Sequence, residues 1–266
     1  MRQLLYGELV HWYRLVDPAA DHAAEAIVFR AAFERCFQGH PARDDAASRA
    51  RPETLLELGA GAGHNALHLK QHYRCTLVDL SAEMSALSVA LNPECEHIVS
   101  DMRTLRLDRQ FDLVLIHDAI VYMTSEADLT AAVRTAYLHT RPGGVVIIAP
   151  DGLRENFEEN TETQQVSDGS RTVTTLMWDW DPDPTDDTFI TEYIFVMRDG
   201  VDVQSVHDRH VSGMFTLATW RRILESEGFE MELMDRPISE DENDQVFLCT
   251  KPVGSDQLVP GVGDLA

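Results

Sequence analysis

The stretch ELGAGAG (Glu57–Gly63) decides the fold, because its three glycines come directly after the apolar run TLLEL and directly before the helical pattern HNALHLKQH. Glycines at such a junction allow a tight turn and let a ligand approach the backbone closely. The next apolar run ends at Asp79, 20 residues after Gly59, where a carboxylate meets a nucleotide ribose in folds of this kind. The spacing therefore predicts a nucleotide-like ligand at the edge of a sheet.

Strands and helices alternate on the carboxyl side of this stretch. The apolar runs CTLVDL, HIVSD, FDLVLIHD and VVIIAP are separated by helical segments and, before the last run, by a turn at Arg141–Gly144. Such alternation predicts a parallel sheet covered by helices on both faces. Glu57, Asp79 and Asp101 would then end three consecutive strands, along the edge where open α/β sheets bind ligands.

The pattern changes after Pro150. Residues 160–215 form short runs rich in threonine, valine and aromatic residues, separated by the turn sequences DGS, DPDPTDD and RDG. These signals predict an antiparallel insertion of three or four strands. The segment TLATWRRILESEG predicts a helix that ends at Gly228, and two closing strands follow it.

Composition excludes some classes of partner. The net charge is −23, and 20 of the 22 basic residues are arginines. This charge argues against a nucleic-acid partner, which requires clustered basic residues, and no apolar run is long enough to span a membrane. Two explanations of the charge stay open: adaptation to high salt, or a genome that favours arginine codons combined with an acidic surface of no special role.

The motifs ELGAGAG, VDLSAEM, SDM and RPGG together resemble the class I S-adenosylmethionine-dependent methyltransferases, over about residues 53–150. The resemblance implies a Rossmann-like sheet of seven strands whose last strand runs antiparallel, with S-adenosylmethionine as cofactor and S-adenosylhomocysteine as product. It also implies a set of cofactor-binding residues near the methionine part, the ribose and the adenine: Glu57, Gly59, Gly61, Gly63, Asp79, Leu80, Met84, Asp101, Met102 and His117. A nicotinamide enzyme is disfavoured, because its GxGxxG motif requires glycine where this chain has His64.

The flanking segments resemble the small-molecule N-methyltransferases that act on amino sugars in antibiotic pathways. The resemblance is carried by YGELVHWYRLVDP, DAIVYM, PDGLRENFEE and DRHVSGMF. It implies an amine acceptor, a homodimer, and contact between the cofactor carboxylate and Tyr6 or Tyr13. The chain departs from the family at Arg14, where the family usually has aspartate, and at Tyr122, where a pocket histidine is expected.

Taken together, these patterns indicate one domain over residues 1–252. We expect a helical lid, a cofactor-binding core, the antiparallel insertion, and a closing helix with strands, at residues 1–40, 53–155, 160–215 and 216–252. A polar linker is expected at His40–Arg51 and a flexible tail at residues 253–266.

Methyl transfer from a sulfonium needs alignment of the acceptor and removal of its proton. An amine needs only its neutral form, whereas a hydroxyl needs a positioned base. Tyr122, Asp118 and His210, in that order, are the candidate catalytic residues that orient the acceptor. We expect Tyr122 and His210 to face it from opposite sides, and strand alternation places His210 on the same face as Asp208. Methylation of oxygen or carbon, or a catalytically silent cofactor-binding protein, are the alternatives.

Two further patterns have structural explanations. His64, His68 and His72 are spaced for one helix face, but no cysteine or carboxylate shares that face in sequence, so no metal site is expected. The four scattered cysteines lack a CxxC pair and predict reduced thiols in a cytoplasmic protein.

Several aromatic residues near the insertion predict a self-complementary dimer contact, namely Trp178, Trp180, Phe189, Tyr193, Phe195 and Phe215.

Overall fold

The computed structural model describes residues 3–37, 53–150, 152–237 and 243–254. A seven-stranded sheet forms its centre, with the strand order β10-β11-β5-β4-β1-β2-β3. The first five strands along the chain are parallel, and β11 lies antiparallel between β5 and β10. The strands are β1 (Glu53–Leu58), β2 (Tyr73–Asp79), β3 (Glu96–Val99), β4 (Phe111–His117), β5 (Thr140–Ala149), β10 (Glu230–Pro237) and β11 (Asn243–Thr250). The expected Rossmann-like sheet with an antiparallel last strand is confirmed.

Helices cover both faces of this sheet. Serine or threonine side chains cap three of them: Ser81 precedes α4, Ser125 precedes α5 and Thr216 precedes α6, each accepting a backbone N–H of the first turn. Gly228 ends α6 in the left-handed conformation, as expected. The helices are α1 (Val10–Val16), α2 (Ala23–Phe37), α3 (His64–Leu69), α4 (Ala82–Leu91), α5 (Glu126–His139) and α6 (Leu217–Glu227).

The alternation of side chains along the strands divides the core into two layers. Leu56 and Leu58 point to the face covered by α5 and α6, whereas Leu55 points to the face covered by α2 and α3. All three side chains are fully buried. The central strands are therefore apolar on both faces, as a parallel sheet between two helical layers requires.

The inserted segment forms a separate antiparallel sheet in the order β6-β7-β8-β9. Its strands are β6 (Asn160–Ser167), β7 (Arg171–Trp180), β8 (Thr188–Asp199) and β9 (Asp202–Gly213). The N-terminal segment, here residues 3–16, packs Leu5, Leu9 and Trp12 against Phe195 and Met197 on the inner face of this sheet. The predicted insertion is confirmed, and the N-terminal segment attaches it to the rest of the molecule.

Some expectations about individual residues are wrong. Helix α3 ends at Leu69, so His72 does not continue the expected histidine face. Phe195 and Phe215 are buried within the chain and cannot contribute to a surface contact, because α1 and the central core cover them.

A few expectations fall outside the described residues, notably the linker at His40–Arg51 and all but the first two residues of the tail. The four cysteines are described, and none is in a disulfide. No described helix combines the length and the apolar character needed to cross a bilayer.

Candidate active site

A cavity of about 1070 Å³ opens at the carboxyl ends of β1, β2 and β4. The glycine-rich loop and Asp79 line one region of it, and the N-terminal segment and β9 line another. The structure brings every predicted site residue to this cavity except Gly63.

The glycine-rich loop folds as the sequence predicts, but its glycines serve different purposes. Gly59, Gly61 and Gly63 all have positive φ, at 78°, 54° and 76°. A Cβ at Gly59 would overlap the Cβ of Ala119, whereas a Cβ at Gly61 would face the cavity with ordinary contacts. Gly63 does not line the cavity but turns toward α4, where a Cβ would overlap the Ser88 hydroxyl, so its approach to the ligand stays a prediction.

Asp79 is held in place by the loop that it faces. One carboxylate oxygen accepts the backbone N–H of Gly61 and the other accepts that of Ser81, both at 2.8 Å. Burial raises the pKa of this carboxyl, although the two amides lower it. Each oxygen keeps a second lone pair that can accept a hydroxyl from a ligand in the cavity.

The residues expected near the adenine lie beside Asp79. Met84 and Met102 are buried and provide an apolar surface, while Leu80 is 69% exposed at the rim of the cavity. Asp101 accepts hydrogen bonds from the backbone and the guanidinium of Arg103. The pKa of Asp101 is lowered, chiefly by Arg103, so this carboxylate is charged and oriented.

Glu57 is a buried acceptor without a partner. Its side chain is 3% exposed, and its Oε2 has no hydrogen-bond partner among the described residues. Burial raises the pKa of this carboxyl to about 8. A buried carboxyl with an unsatisfied oxygen that lines a cavity is suited to a cationic group of a ligand, which would supply the missing hydrogen bond and favour the ionised form of the carboxyl.

An ionic cluster adjoins Glu57, and the sequence patterns did not reveal it. His22 contacts Asp17 at 2.8 Å and Glu25 at 3.3 Å, and His117 contacts Glu25 at 2.8 Å. Burial alone would lower the pKa of each histidine, but the carboxylates raise both to about 10. Arg236 of β10 also pairs with Glu25.

Two further expected residues join this cluster. Asp118 contacts His117 at 2.7 Å and has φ 44°, a positive value that it alone adopts among the described non-glycine residues. The Tyr13 hydroxyl donates to Asp17 at 2.7 Å. Asp17 also contacts His64. The carboxylate that the helical histidine pattern lacks therefore comes from the residue that directly follows α1.

The same cluster contains two groups of potential metal ligands. The ligand atoms of Asp17, His22 and His64 lie within 4.8 Å of one another, as do those of His22, Glu25 and His117. The carboxylates and imidazoles pair with each other in both groups, and Arg236 places a positive charge beside the second. His68 instead hydrogen-bonds the carbonyl of Ala19.

A chain of hydrogen bonds lies at the other end of the cavity. The Tyr6 and Tyr122 hydroxyls are 2.8 Å apart, and the Tyr122 hydroxyl is 2.9 Å from Nδ1 of His210. Nε2 of His210 is 3.1 Å from Asp208, which also accepts the backbone N–H of Leu5 at 2.9 Å. The expectation that Tyr122 and His210 lie on opposite sides of the acceptor is wrong, because their side chains are in direct contact.

The N-terminal segment connects this chain of hydrogen bonds to the end of the cavity that Asp79 lines. The backbone carbonyl of Tyr6 accepts the Ser81 hydroxyl at 2.6 Å, and Ser81 follows Asp79 by two residues. The same hydroxyl accepts the N–H of Met84 at the start of α4. One segment therefore contacts both ends of the cavity.

Comparison with known proteins supports these observations. Residues 55–144 match the family model of the methyltransferase domain. A dTDP-3-amino-3,6-dideoxy-alpha-D-glucopyranose N,N-dimethyltransferase from Streptomyces fradiae is 25% identical over 239 residues, which cover 85% of this chain and 92% of that protein.

Two solved structures share the fold. The sugar N-methyltransferase KedS8 from Streptoalloteichus has a TM-score of 0.76 at 22% identity and covers 92% of both chains. An amino pentose methyltransferase from Micromonospora echinaspora, solved with S-adenosylmethionine bound, has a TM-score of 0.67 at 22% identity and covers 84% of this chain and 96% of that one. With a methyltransferase domain matched over residues 55–144 and a seven-stranded sheet whose last strand is antiparallel, this chain is an S-adenosylmethionine-dependent methyltransferase.

Proposed function

We propose that this enzyme methylates the nitrogen of a small amine of the amino-sugar class. The observation that carries the proposal is that one cavity joins the cofactor loop to an enclosed group of tyrosines and a histidine. Its volume, about 1070 Å³, lies just above the ~300–1,000 Å³ that is usual for ligand pockets, which leaves room for a cofactor and a small acceptor. Nucleic acid is not part of the proposal.

The residues present fit S-adenosylmethionine, which supplies a methyl group bound to a sulfonium. In the proposal, Asp79 accepts hydrogen bonds from the ribose hydroxyls, and Glu57 accepts one from the α-ammonium of the methionine part. The unpartnered Oε2 of Glu57 supports this role, since a cationic ligand would satisfy it. Gly59 and Gly61 keep the loop backbone close to the ligand, and Met84, Met102, Leu80 and Asp101 surround the adenine. Tyr6, Tyr13 and His117 contact the methionine end.

An amine is favoured over a hydroxyl because of the charge around the cavity. Asp17, Glu57, Asp118 and Glu83 are among the acidic side chains that line it. Such a surface attracts an ammonium and holds it near the reacting groups. The relatives named above act on amino sugars, which points to the same class of acceptor. O-methylation is the second candidate, because the contact between Tyr122 and His210 resembles the positioned base that a hydroxyl would need.

The proposal includes a homodimer formed through the outer face of the inserted sheet. Trp178 is 44% exposed and stacks on Trp180, with ring centroids 5.6 Å apart. Ile194, Val196 and Val211 are also more than 40% exposed on this sheet. An apolar face of this kind is typical of self-association. The proposal also includes a cytoplasmic location, which rests on the cysteine pattern of the sequence.

Two experiments test the proposal. Calorimetry should detect S-adenosylmethionine binding, and S-adenosylhomocysteine should then be released with amino-sugar nucleotides but not with their hydroxyl analogues. Products methylated only on oxygen would overturn the choice of an amine. Light scattering should show a dimer that Trp178→Glu dissociates, while Val253→Glu, a matched change at an exposed valine outside the sheet, leaves it intact. A monomeric wild type would overturn the dimer.

A further inference from the structure

The strongest unexplained feature of the cavity is a line of four hydrogen-bonded side chains that are buried or half-buried: Asp208, His210, Tyr122 and Tyr6. His210 is 2% exposed and Asp208 is 4% exposed, so neither has ready access to solvent. Polar side chains this deeply buried beside a ligand cavity carry a cost unless they are paired, and here they pair in one continuous line.

The carboxylate of Asp208 fixes the direction of these hydrogen bonds. An ionised carboxylate only accepts, so Nε2 of a neutral His210 must carry the hydrogen that faces Asp208. Nδ1 is then an acceptor, and the Tyr122 hydroxyl donates to it. The Tyr122 oxygen is left to accept, either from Tyr6 or from a ligand that enters the cavity.

We propose that Tyr122, His210 and Asp208 form a proton relay that deprotonates the acceptor, with Asp208 as the positioning residue that fixes the tautomer of His210. This inference rests on the proposed function and defines its acceptor further. Within the proposed function the acceptor is an amine that enters as an ammonium, because an amine that enters in its neutral form would need no relay.

The proton balance of the relay is complete without another reactant. One N–H bond of the ammonium breaks, and its proton passes to the Tyr122 oxygen while Tyr122 gives its own proton to Nδ1 of His210. The imidazolium that forms is paired with Asp208, which stays ionised. The amine nitrogen then has a free electron pair with which to bond the methyl carbon, and the sulfur keeps the electron pair of the bond that breaks.

The surroundings of His210 support this direction of transfer. Tyr6 from the N-terminal segment, Tyr122 from the 3₁₀ helix after β4, and Tyr193 from β8 face its ring, with centroids 4.8–5.8 Å away. The only carboxylate among these described neighbours is Asp208, on the same strand. Burial alone would raise the pKa of Asp208. The hydrogen bonds from His210 and Leu5 outweigh burial and lower the pKa below its ordinary value, so the carboxylate is ionised when the imidazolium forms.

The chain offers a matched control on the opposite face of the same sheet. His207 contacts Glu192 at 2.6 Å, which reproduces a histidine–carboxylate pair, but His207 is more than half exposed and does not line the cavity. Asp208→Asn and Tyr122→Phe are therefore compared with Glu192→Gln and His207→Asn. Melting curves and calorimetry with S-adenosylmethionine establish that each variant is folded and binds cofactor.

The test measures kcat and KM for the amine acceptor from pH 5 to 9. We expect Asp208→Asn and Tyr122→Phe to lower kcat by about 10²-fold or more at pH 7, the scale of general-base catalysis, with KM changed less than about threefold. The controls should retain the wild-type kcat.

A second acceptor separates a relay from a merely structural role. A β-fluorinated analogue of the amine has a lower amine pKa and is neutral at pH 7, so it does not need the relay. The Asp208→Asn defect should shrink to less than about threefold with this analogue. Equal defects with both acceptors, or wild-type kcat in the variants, would overturn the relay. Failure of the wild type to methylate any amine would instead overturn the proposed function.

Discussion

Replacing Asp79 by alanine should weaken S-adenosylmethionine binding more than any other single truncation at the ribose end. The carboxylate is fixed by the N–H groups of Gly61 and Ser81, and each oxygen keeps one lone pair directed to the cavity. Asp79→Ala removes both acceptors for the ribose and also leaves the two backbone N–H groups without their partner. The glycine-rich loop is therefore less well ordered before the cofactor arrives.

The size of this effect follows from the hydrogen bonds that are lost. A hydrogen bond to a charged group contributes about 1.5–3 kcal/mol. Part of the loss is recovered when water enters the open cavity and solvates the N–H groups, which leaves a net loss of about 2–3 kcal/mol. Since 1.4 kcal/mol is a tenfold change, the dissociation constant should rise about 30–150-fold.

Titration calorimetry of wild type and Asp79→Ala measures this difference directly. Asp186→Ala is the matched control, because Asp186 also accepts a backbone N–H in a turn but does not line the cavity. Its dissociation constant should equal that of the wild type. If Asp79→Ala also bound with the wild-type constant, the assignment of the ribose site would be wrong.

Three further measurements address stability. Gly63→Ala should lower the melting temperature by roughly 4–8 °C, because φ is 76° and the new Cβ would overlap Ser88. The control Gly152→Ala, where a Cβ would meet open space, should change the melting temperature little. An unchanged melting temperature in Gly63→Ala would contradict this packing. The raised pKa of His22, about 10, gives stability that is complete below its ordinary pKa near 6.5 and is lost as pH rises toward 10, so the wild type should lose stability between pH 7 and 10 and His22→Ala should lose less. If the net charge of −23 reflects adaptation to salt, the melting temperature should rise steeply between about 0.1 M and 1 M KCl, whereas a flat profile would favour the genome-composition explanation.

The positions of the glycine-rich loop and Asp79 at the sheet edge were predictable because their sequence signals are local. Gly59, Gly61 and Asp79 lie within 21 residues of one another, and a strand–turn–helix unit places them with little help from the rest of the chain. The turn sequences between the inserted strands are local in the same sense, which is why an antiparallel insertion of three or four strands was predicted and a sheet of four is found.

The ionic cluster could not be predicted because its members come from distant segments. Glu25 lies in α2, His117 ends β4 and Arg236 lies in β10, so only the folded topology brings them together. The spacing of His22 and Glu25, three residues apart around the start of α2, was the one available signal, and it is common on solvated helices.

The aromatic residues near the insertion show a different limit. Strand alternation predicts that Phe195 and Ile194 point to opposite faces of the inserted sheet, but it does not indicate which of the two faces another part of the chain covers. Helix α1 covers the face of Phe195, and Ile194 is left 42% exposed. The sequence patterns therefore separated the side chains of the inserted sheet into two faces correctly, but they did not show which aromatic residues lie on the exposed face.

The position of the N-terminal segment predicts that binding of the cofactor and binding of the acceptor are thermodynamically coupled. Tyr6 contacts Ser81 through its carbonyl and Tyr122 through its hydroxyl, and Leu5 contacts Asp208. A ligand that orders this short segment reduces the conformational entropy that the other ligand must still restrict. Binding of cofactor should therefore tighten binding of acceptor, and by reciprocity acceptor should tighten cofactor by the same factor. Release of the demethylated cofactor would then be faster after the methylated product has left than before.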